Sequence, residues 1–261
     1  MFTQSFHNHT YRCNHADGTE REYVEEAVRG GMEMLGFSDH APYVFEGDYY
    51  SGFRMRPEEA AGYFDTVSAL REEYKGKLDI RMGFEAEYYP RFFAAFEKLI
   101  SSMPAEYLLL GQHFTRSEVD GHGSTRPVTD GEELTEFVSQ VIEAMKTGMF
   151  CCVAHPDIFN FRGDALVYER EIRRLCESSV LCGVPLEINL LGIRTNRHYP
   201  NPEFWRIAGE VGVDAVVGGD AHTPGDVHDT VSYAKAVEMA EKYGVKLHEA
   251  SFILKGGHTL R

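Results

Sequence analysis

Residues 5–15 read SFHNHTYRCNH, three histidines and a cysteine within eleven positions of a chain that has 12 His and 5 Cys among its 261 residues. The segment grows out of a short run, Gln4-Ser5-Phe6-His7-Asn8, with the look of a buried strand that ends in polar residues. His7 and His9 are two positions apart, so on an extended chain they share a face. Taken alone, such a pair is an ordinary surface feature. It decides the fold only if other strand-like runs end in the same kind of residue.

Apolar runs at residues 34–38, 78–85, 107–112, 150–154, 185–190 and 214–219 alternate with longer amphipathic stretches, the pattern of βα units around a parallel sheet. The helices between them carry recognisable signals. Thr19-Glu20-Arg21-Glu22 is a capping box, with Gly30-Gly31 as its stop. Pro57 suits a first helical turn, and Tyr63, Leu70 and Tyr74 follow at helical spacing. Further helices are expected at 91–103, 131–145, 165–181, 201–211 and 226–243. No repeat, low-complexity tract or linker interrupts the pattern, so residues 1–261 read as one domain.

Six of these seven runs finish in metal-ligand residue types: His7 and His9, Asp39 and His40, Glu85, His113, His155, and Asp220 with His222. The sixth run lacks one. In a closed parallel barrel the C-terminal strand ends converge on a single rim, which would bring together residues more than two hundred positions apart. Each motif has a plainer meaning on its own: AHPD as a turn opened by Pro156, SDH as a helix cap, GGDAH as a tight turn. None of these explains the repetition at strand ends, which predicts a metal centre for Zn, Fe or Mn. With His15 added and Asp39 left aside the candidate ligands number nine, whereas one catalytic zinc uses about three. Several ions are therefore expected, with Glu85 able to bridge two of them through its two oxygens.

Composition limits the partners. A formal net charge of −15 disfavours nucleic-acid backbones and anionic membranes, and leaves a small molecule as the expected partner. No run approaches the roughly 18 apolar residues of a membrane span, and MFTQSFHNHT lacks the pattern of a secretory leader, so a cytoplasmic location is expected. Cys13, Cys151, Cys152, Cys176 and Cys182 are odd in number with no C-x-x-C pair, which fits free thiols. Two long loops, 41–55 and 114–129, have the length of lids or substrate walls, or of surface insertions.

The set HNHT, His15, SDH, GFE, GQHF, AHPD and GGDAH resembles the polymerase and histidinol phosphatase (PHP) family along the whole chain. The opening H-x-H…C-x-H and EINLLGIRTNRHYPNPEF are most similar to its stand-alone L-histidinol-phosphate phosphatases. The resemblance implies a distorted (β/α)7 TIM-like barrel with three divalent metal ions. Position by position, it puts His7, His9, Glu85 and Asp220 on the first ion, Glu85, His113 and His155 on the second, and His15, His40 and His222 on the third. The implied activity is phosphomonoester hydrolysis, with a metal-bridging hydroxide attacking phosphorus and L-histidinol phosphate as the substrate. Asp39 is a candidate proton donor to the leaving group, or else the brace of a ligating histidine. Arg162, Arg197 and Arg194, just beyond strand ends, are candidates for the phosphate, with the sixth strand supplying the basic loop. Glu46 and Asp48 in the 41–55 loop are candidates for a cationic amino-alcohol, while His122, His198, His228, His248 and His258 read as structural or surface residues.

Three other functions fit parts of this pattern. PHP proteins include nucleotide and oligonucleotide phosphoesterases. Amidohydrolase-type barrels also begin with HxH, but bridge their metals with a modified lysine at strand four or a glutamate, where this chain has Gly111-Gln112-His113. A non-catalytic metal-binding module is the third, and the intact ligand positions favour an enzyme.

Overall fold

The computed structural model describes residues 1–254; His258 lies outside them. The strands are β1 (Gln4–Ser5), β2 (Met34–Phe37), β3 (Asp79–Ala86), β4 (Tyr107–Leu110), β5 (Phe114–Thr115), β6 (His122–Gly123), β7 (Cys152–Val153), β8 (Leu186–Asn189), β9 (Asp214–Gly218) and β10 (Lys246–Leu247). The helices are α1 (Glu20–Arg29), α2 (Ala60–Glu73), α3 (Phe93–Ile100), α4 (Gly131–Lys146), α5 (Ala165–Cys182), α6 (Leu190–Arg194), α7 (Pro202–Val211) and α8 (Thr230–Tyr243). Eight strands form one parallel sheet in the order β1-β2-β3-β4-β7-β8-β9-β10, and β5 and β6 form a separate antiparallel hairpin.

The sheet curls until its ends meet. Just past β1 and β9 the chain makes a parallel bridge between Asn8 and Ala221, where the His9 N–H donates to the Ala221 carbonyl at 2.9 Å. The eighth strand, β10, pairs only with the first residues of β9, Asp214 and Ala215, so it reaches the floor of the barrel and not the rim. Seven strands reach the rim, as a distorted (β/α)7 barrel requires. The interior below the rim holds Phe6, Tyr107, Leu109, Cys152, Ala154 and Val216, closed underneath by Ala250 and Ile253. A larger apolar layer joins the outer sheet face to the helices, which is why β2 and β4, MLGF and YLLL, read as continuous apolar runs.

Local signals set the helix bounds. The Thr19 capping box is formed, with the Thr19 N–H donating to Glu22 at 2.7 Å. Asp130, Asp164, Asn201 and Asp229 cap α4, α5, α7 and α8 in the same sense. Asp229 makes α8 begin at Thr230, because Pro224–Asp226 forms a separate single turn. The short helix α6 stands where a basic loop was expected, its start fixed by the Asn189 side chain accepting from the Gly192 N–H. No helix among the described residues is long and apolar enough to cross a membrane, and all five cysteines are free thiols.

Candidate metal centre

The barrel brings the strand-end residues together. His9, His15, His40, Glu85, His113, His155, Asp220 and His222 line a cavity of about 470 Å³ at the rim, with His7 directly behind it. Glu85 is central, and its two oxygens face different neighbours. Oε2 is 3.5 Å from His7 Nε2, 3.3 Å from His9 Nε2 and 3.1 Å from His40 Nδ1. Oε1 is 2.8 Å from His155 Nε2 and 3.5 Å from His113 Nε2. Asp220 Oδ1 closes the first group, 3.6 Å from His7 Nε2 and 3.4 Å from His9 Nε2. Burial works against the charge on Glu85, but His113, His7 and His40 outweigh it and hold the carboxyl well below its usual range.

Two glycines make room for this chemistry. A Cβ at Gly111 would stand 1.8 Å from a Glu85 oxygen, and one at Gly218 would stand 1.6 Å from a Glu187 oxygen. A side chain at either position would expel a carboxylate from the barrel. The backbone is also strained at two strand ends, His155 at φ 30° and Asp220 at φ 44°. Glu187 accepts the His155 N–H at 3.0 Å, and Arg194 donates to the Asp220 carbonyl at 3.1 Å, so each strained residue is braced from outside.

The hydrogen bonds behind the rings fix which nitrogens face the cavity. His7 Nδ1 donates to Glu187 at 2.7 Å, and His113 Nδ1 to Glu87 at 2.9 Å. His15 Nδ1 lies 2.8 Å from the Cys13 carbonyl and His222 Nδ1 3.2 Å from the Asp220 carbonyl, and a carbonyl can only accept. Burial, the main influence on His15, lowers its pKa to about 4 and keeps the ring neutral. The Nε2 atoms of His15 and His222 face each other across 3.1 Å. His7 and His9 oppose their Nε2 atoms at the same distance. A cation between facing ring nitrogens takes the place of a proton there, and two imidazole–zinc bonds of about 2.0–2.1 Å each span such a gap. The carboxylates carry the same message: among the described residues Glu85, Glu187 and Asp220 form ion pairs only with histidines. The donor set thus fits divalent metal. Ligand atoms gather within 4.8 Å in the groups His7–Glu85–His155, His7–His9–Asp220 and His9–His40–Glu85.

Several expected roles are not those the structure gives. Asp39 does not line the cavity; its oxygens accept from the Thr10 N–H and hydroxyl, each at 2.8 Å, and burial raises its pKa to about 6. It braces the turn after His9 instead of reaching a leaving group. Arg194 donates to Asp226, to Asp229 and to the carbonyls of Gly219 and Asp220, which consumes its guanidinium in holding the end of β9. Arg162 is exposed, donates to Asn160 at 2.8 Å and lies off the cavity lining. Of the three arginines only Arg197 lines the cavity, beside Tyr199, to whose hydroxyl it donates at 2.7 Å. Glu46 pairs with Arg91 on the outer surface and Asp48 is exposed, so neither acid faces the site. The 41–55 loop is a packed wall: Tyr43 stacks on Phe96 at 4.6 Å, and Phe53 enters the cavity lining. Loop 114–129 adds Phe114, Gly123 and Thr125 to that lining. His198 bonds the Ile158 carbonyl and His248 pairs with Asp214, while His122 is exposed and His228 stacks on Phe2, all away from the ligand cluster.

Four supporting residues escaped the sequence analysis: Glu87, Glu187, Asn189 and Arg54. Glu87 lies two positions beyond Glu85, on the same face of an extended chain, and GFEAE carried that signal. The sixth run does end in useful groups, since Asn189 donates to Glu187 at 2.9 Å and to Asp220 at 3.0 Å.

A parallel barrel with clustered imidazoles and carboxylates on its C-terminal rim defines a metal-dependent hydrolase of the barrel class. The family model of the PHP domain matches residues 5–190, and the chain belongs to that family. It is 30% identical over 232 residues to a Deinococcus radiodurans protein named probable histidinol-phosphatase, covering 85% of this chain and 86% of that one. It is 31% identical to the Bacillus subtilis histidinol-phosphatase over 119 residues, 43% of this chain and 44% of the relative. In fold it matches the Lactococcus lactis histidinol phosphate phosphatase, crystallised with zinc, L-histidinol and phosphate, at a TM-score of 0.73 and 20% identity, over 95% of each chain.

Proposed function

We propose that this protein is a metal-dependent phosphatase that hydrolyses L-histidinol phosphate to L-histidinol and phosphate. The observation that carries it is the division of Glu85 between two sets of imidazoles, with Arg197 on the same cavity wall. Three divalent ions are assigned: one to His7, His9, Glu85 and Asp220, one to Glu85, His113 and His155, and one to His15, His40 and His222. Zinc, iron or manganese suits these donors. Ions held there would clamp the phosphoryl oxygens and lower the pKa of water, which is the chemistry a phosphate monoester needs.

The chain's own groups do the rest. Arg197 offers a planar fork to the phosphate. Phe53, Phe114, Ile158 and Leu191 make an apolar wall for the organic part of the ester and keep bulk water from it. The acidic charge of the chain disfavours nucleic acid, so a small ester in the cytoplasm is the proposed substrate.

The test is a screen of metal-loaded protein against histidinol phosphate, sugar phosphates, nucleotides, phosphotyrosine and a short oligonucleotide. Histidinol phosphate should lead in kcat/KM. Faster turnover of a nucleotide or oligonucleotide would move the protein to another branch of the family. In the same assay Arg197→Ala should lose about 1.5–3 kcal/mol in kcat/KM, the worth of a charge-assisted contact once bound ester covers the guanidinium, with metal content unchanged, and Arg197→Lys should recover part of it. Arg162→Ala should stay close to wild type.

A further inference from the structure

Arg54, in the 41–55 loop, is only 1% exposed, and all of its charge is committed inside the protein. Nη1 donates to the Ala41 carbonyl at 2.7 Å and Nε to Ser51 Oγ at 2.8 Å, so the guanidinium ties together both ends of its own loop. Nη2 donates to Glu87 Oε2 at 3.0 Å and to Glu118 Oε2 at 2.6 Å. The other oxygen of Glu87 holds His113 Nδ1 at 2.9 Å. A carboxylate bound on one side by Arg54 and on the other by His113 cannot turn without breaking one of the two bonds.

The neighbouring residue extends the link to the cavity. Phe53 meets His40 edge-on at 5.2 Å and 87°, and stacks with Phe114 at 6.0 Å. The Arg54 guanidinium lies 4.4 Å from the Phe53 ring centroid. Loop and His113 ring are therefore joined by hydrogen bonds through Arg54 and Glu87, and loop and cavity wall by ring contacts through Phe53.

We propose that Arg54 is a positioning residue that acts on His113 through Glu87, coupling the seating of the 41–55 loop to ion affinity at Glu85, His113 and His155. This rests on His113 being a metal ligand, as proposed above. Coupling of this kind is reciprocal: if a seated loop favours the ion, the ion must favour the seated loop by the same factor.

The test measures both directions. Hydrogen exchange in residues 41–55 is followed by mass spectrometry in chelator-treated and zinc-loaded protein, and zinc affinity is titrated in parallel, for wild type, Arg54→Lys and Glu87→Gln. In the wild type, zinc should slow exchange in the loop. Glu87→Gln should weaken one zinc equivalent about 10–100-fold and make loop exchange indifferent to zinc. Arg54→Lys keeps the charge but cannot reach all four acceptors, so it should fall between the two. If Arg54→Lys does not fold, Glu87→Gln alone decides, because it leaves the Arg54 bonds to Ala41, Ser51 and Glu118 in place. Zinc uptake with no change in loop exchange, or a response that survives in Glu87→Gln, overturns the coupling alone. A wild-type protein that takes up no zinc overturns the metal assignment itself, and the coupling with it.

Discussion

The two sides of the metal centre are built differently. On the inner side, His7 and His113 are each backed by a buried carboxylate, Glu187 at 2.7 Å and Glu87 at 2.9 Å. On the outer side, His15 is backed by the neutral carbonyl of Cys13 at 2.8 Å and is partly open to solvent, while His222 Nδ1 shares Asp220 with the inner rings, 3.2 Å from its carbonyl and 3.3 Å from its carboxylate. A carboxylate behind an imidazole fixes its tautomer, raises its basicity as a ligand and adds negative charge near the ion. A carbonyl fixes the tautomer and does little more. The inner positions should therefore hold their ions tightly, and the outer position should exchange with solvent.

The most severe test of that difference is Glu85→Gln. The amide keeps the shape but removes the charge that serves both inner groups, so metal content and rate should fall together, by more than the roughly 100-fold that loss of a supporting partner produces. Metal analysis alongside kcat would break the comparison if this variant kept its full metal content. Glu187→Gln comes next. His7 keeps a hydrogen-bond acceptor but loses the charge behind it, and inner-site affinity should drop about 10–100-fold in a chelator competition.

A smaller effect is expected outside. His222→Ala should lose one equivalent of metal while the inner ions stay, with a lesser fall in kcat/KM than Glu187→Gln causes. Limiting chelator added to the wild type should remove that same equivalent first; simultaneous release of all ions would erase the distinction. Smallest of all, Glu46→Gln and Asp48→Asn should leave kcat/KM for histidinol phosphate within about 2-fold, as they are exposed and away from the cavity. A larger loss would show that the outer face of the 41–55 loop meets the substrate.

Much of the inner side was legible before any coordinates. The run of residues 78–85 ends in Glu85 and the run of 107–112 leads into His113, both mainly apolar towards their ends with a metal-ligand residue type at the exit, and a parallel barrel has one place for such exits. The supports were less visible. Glu187 sits inside an apolar run, where its partner His7 is 180 positions away, and no local pattern announces a contact at that separation. Arg54 has the same character, in a loop where an arginine ordinarily reads as solvated.

The three arginines divide the problem most sharply. Arg162, Arg194 and Arg197 are each a cation just past a strand end, and the sequence favours Arg162 and Arg197 over Arg194 for the phosphate. Arg162 turns to Asn160, and the unexpected helix α6 separates the other two, turning Arg194 back onto Asp226 and Asp229 and leaving Arg197 at the cavity wall. The sequence by itself determined the barrel, the rim and the chemical type of the candidate ligands at six strand ends, because strand period and apolar burial are properties of short segments. Only the tertiary structure decided which carboxylate backs which imidazole and which arginine remains available. Those choices depend on distances between segments far apart in the chain, and on room left by Gly111 and Gly218 where two carboxylates enter the barrel.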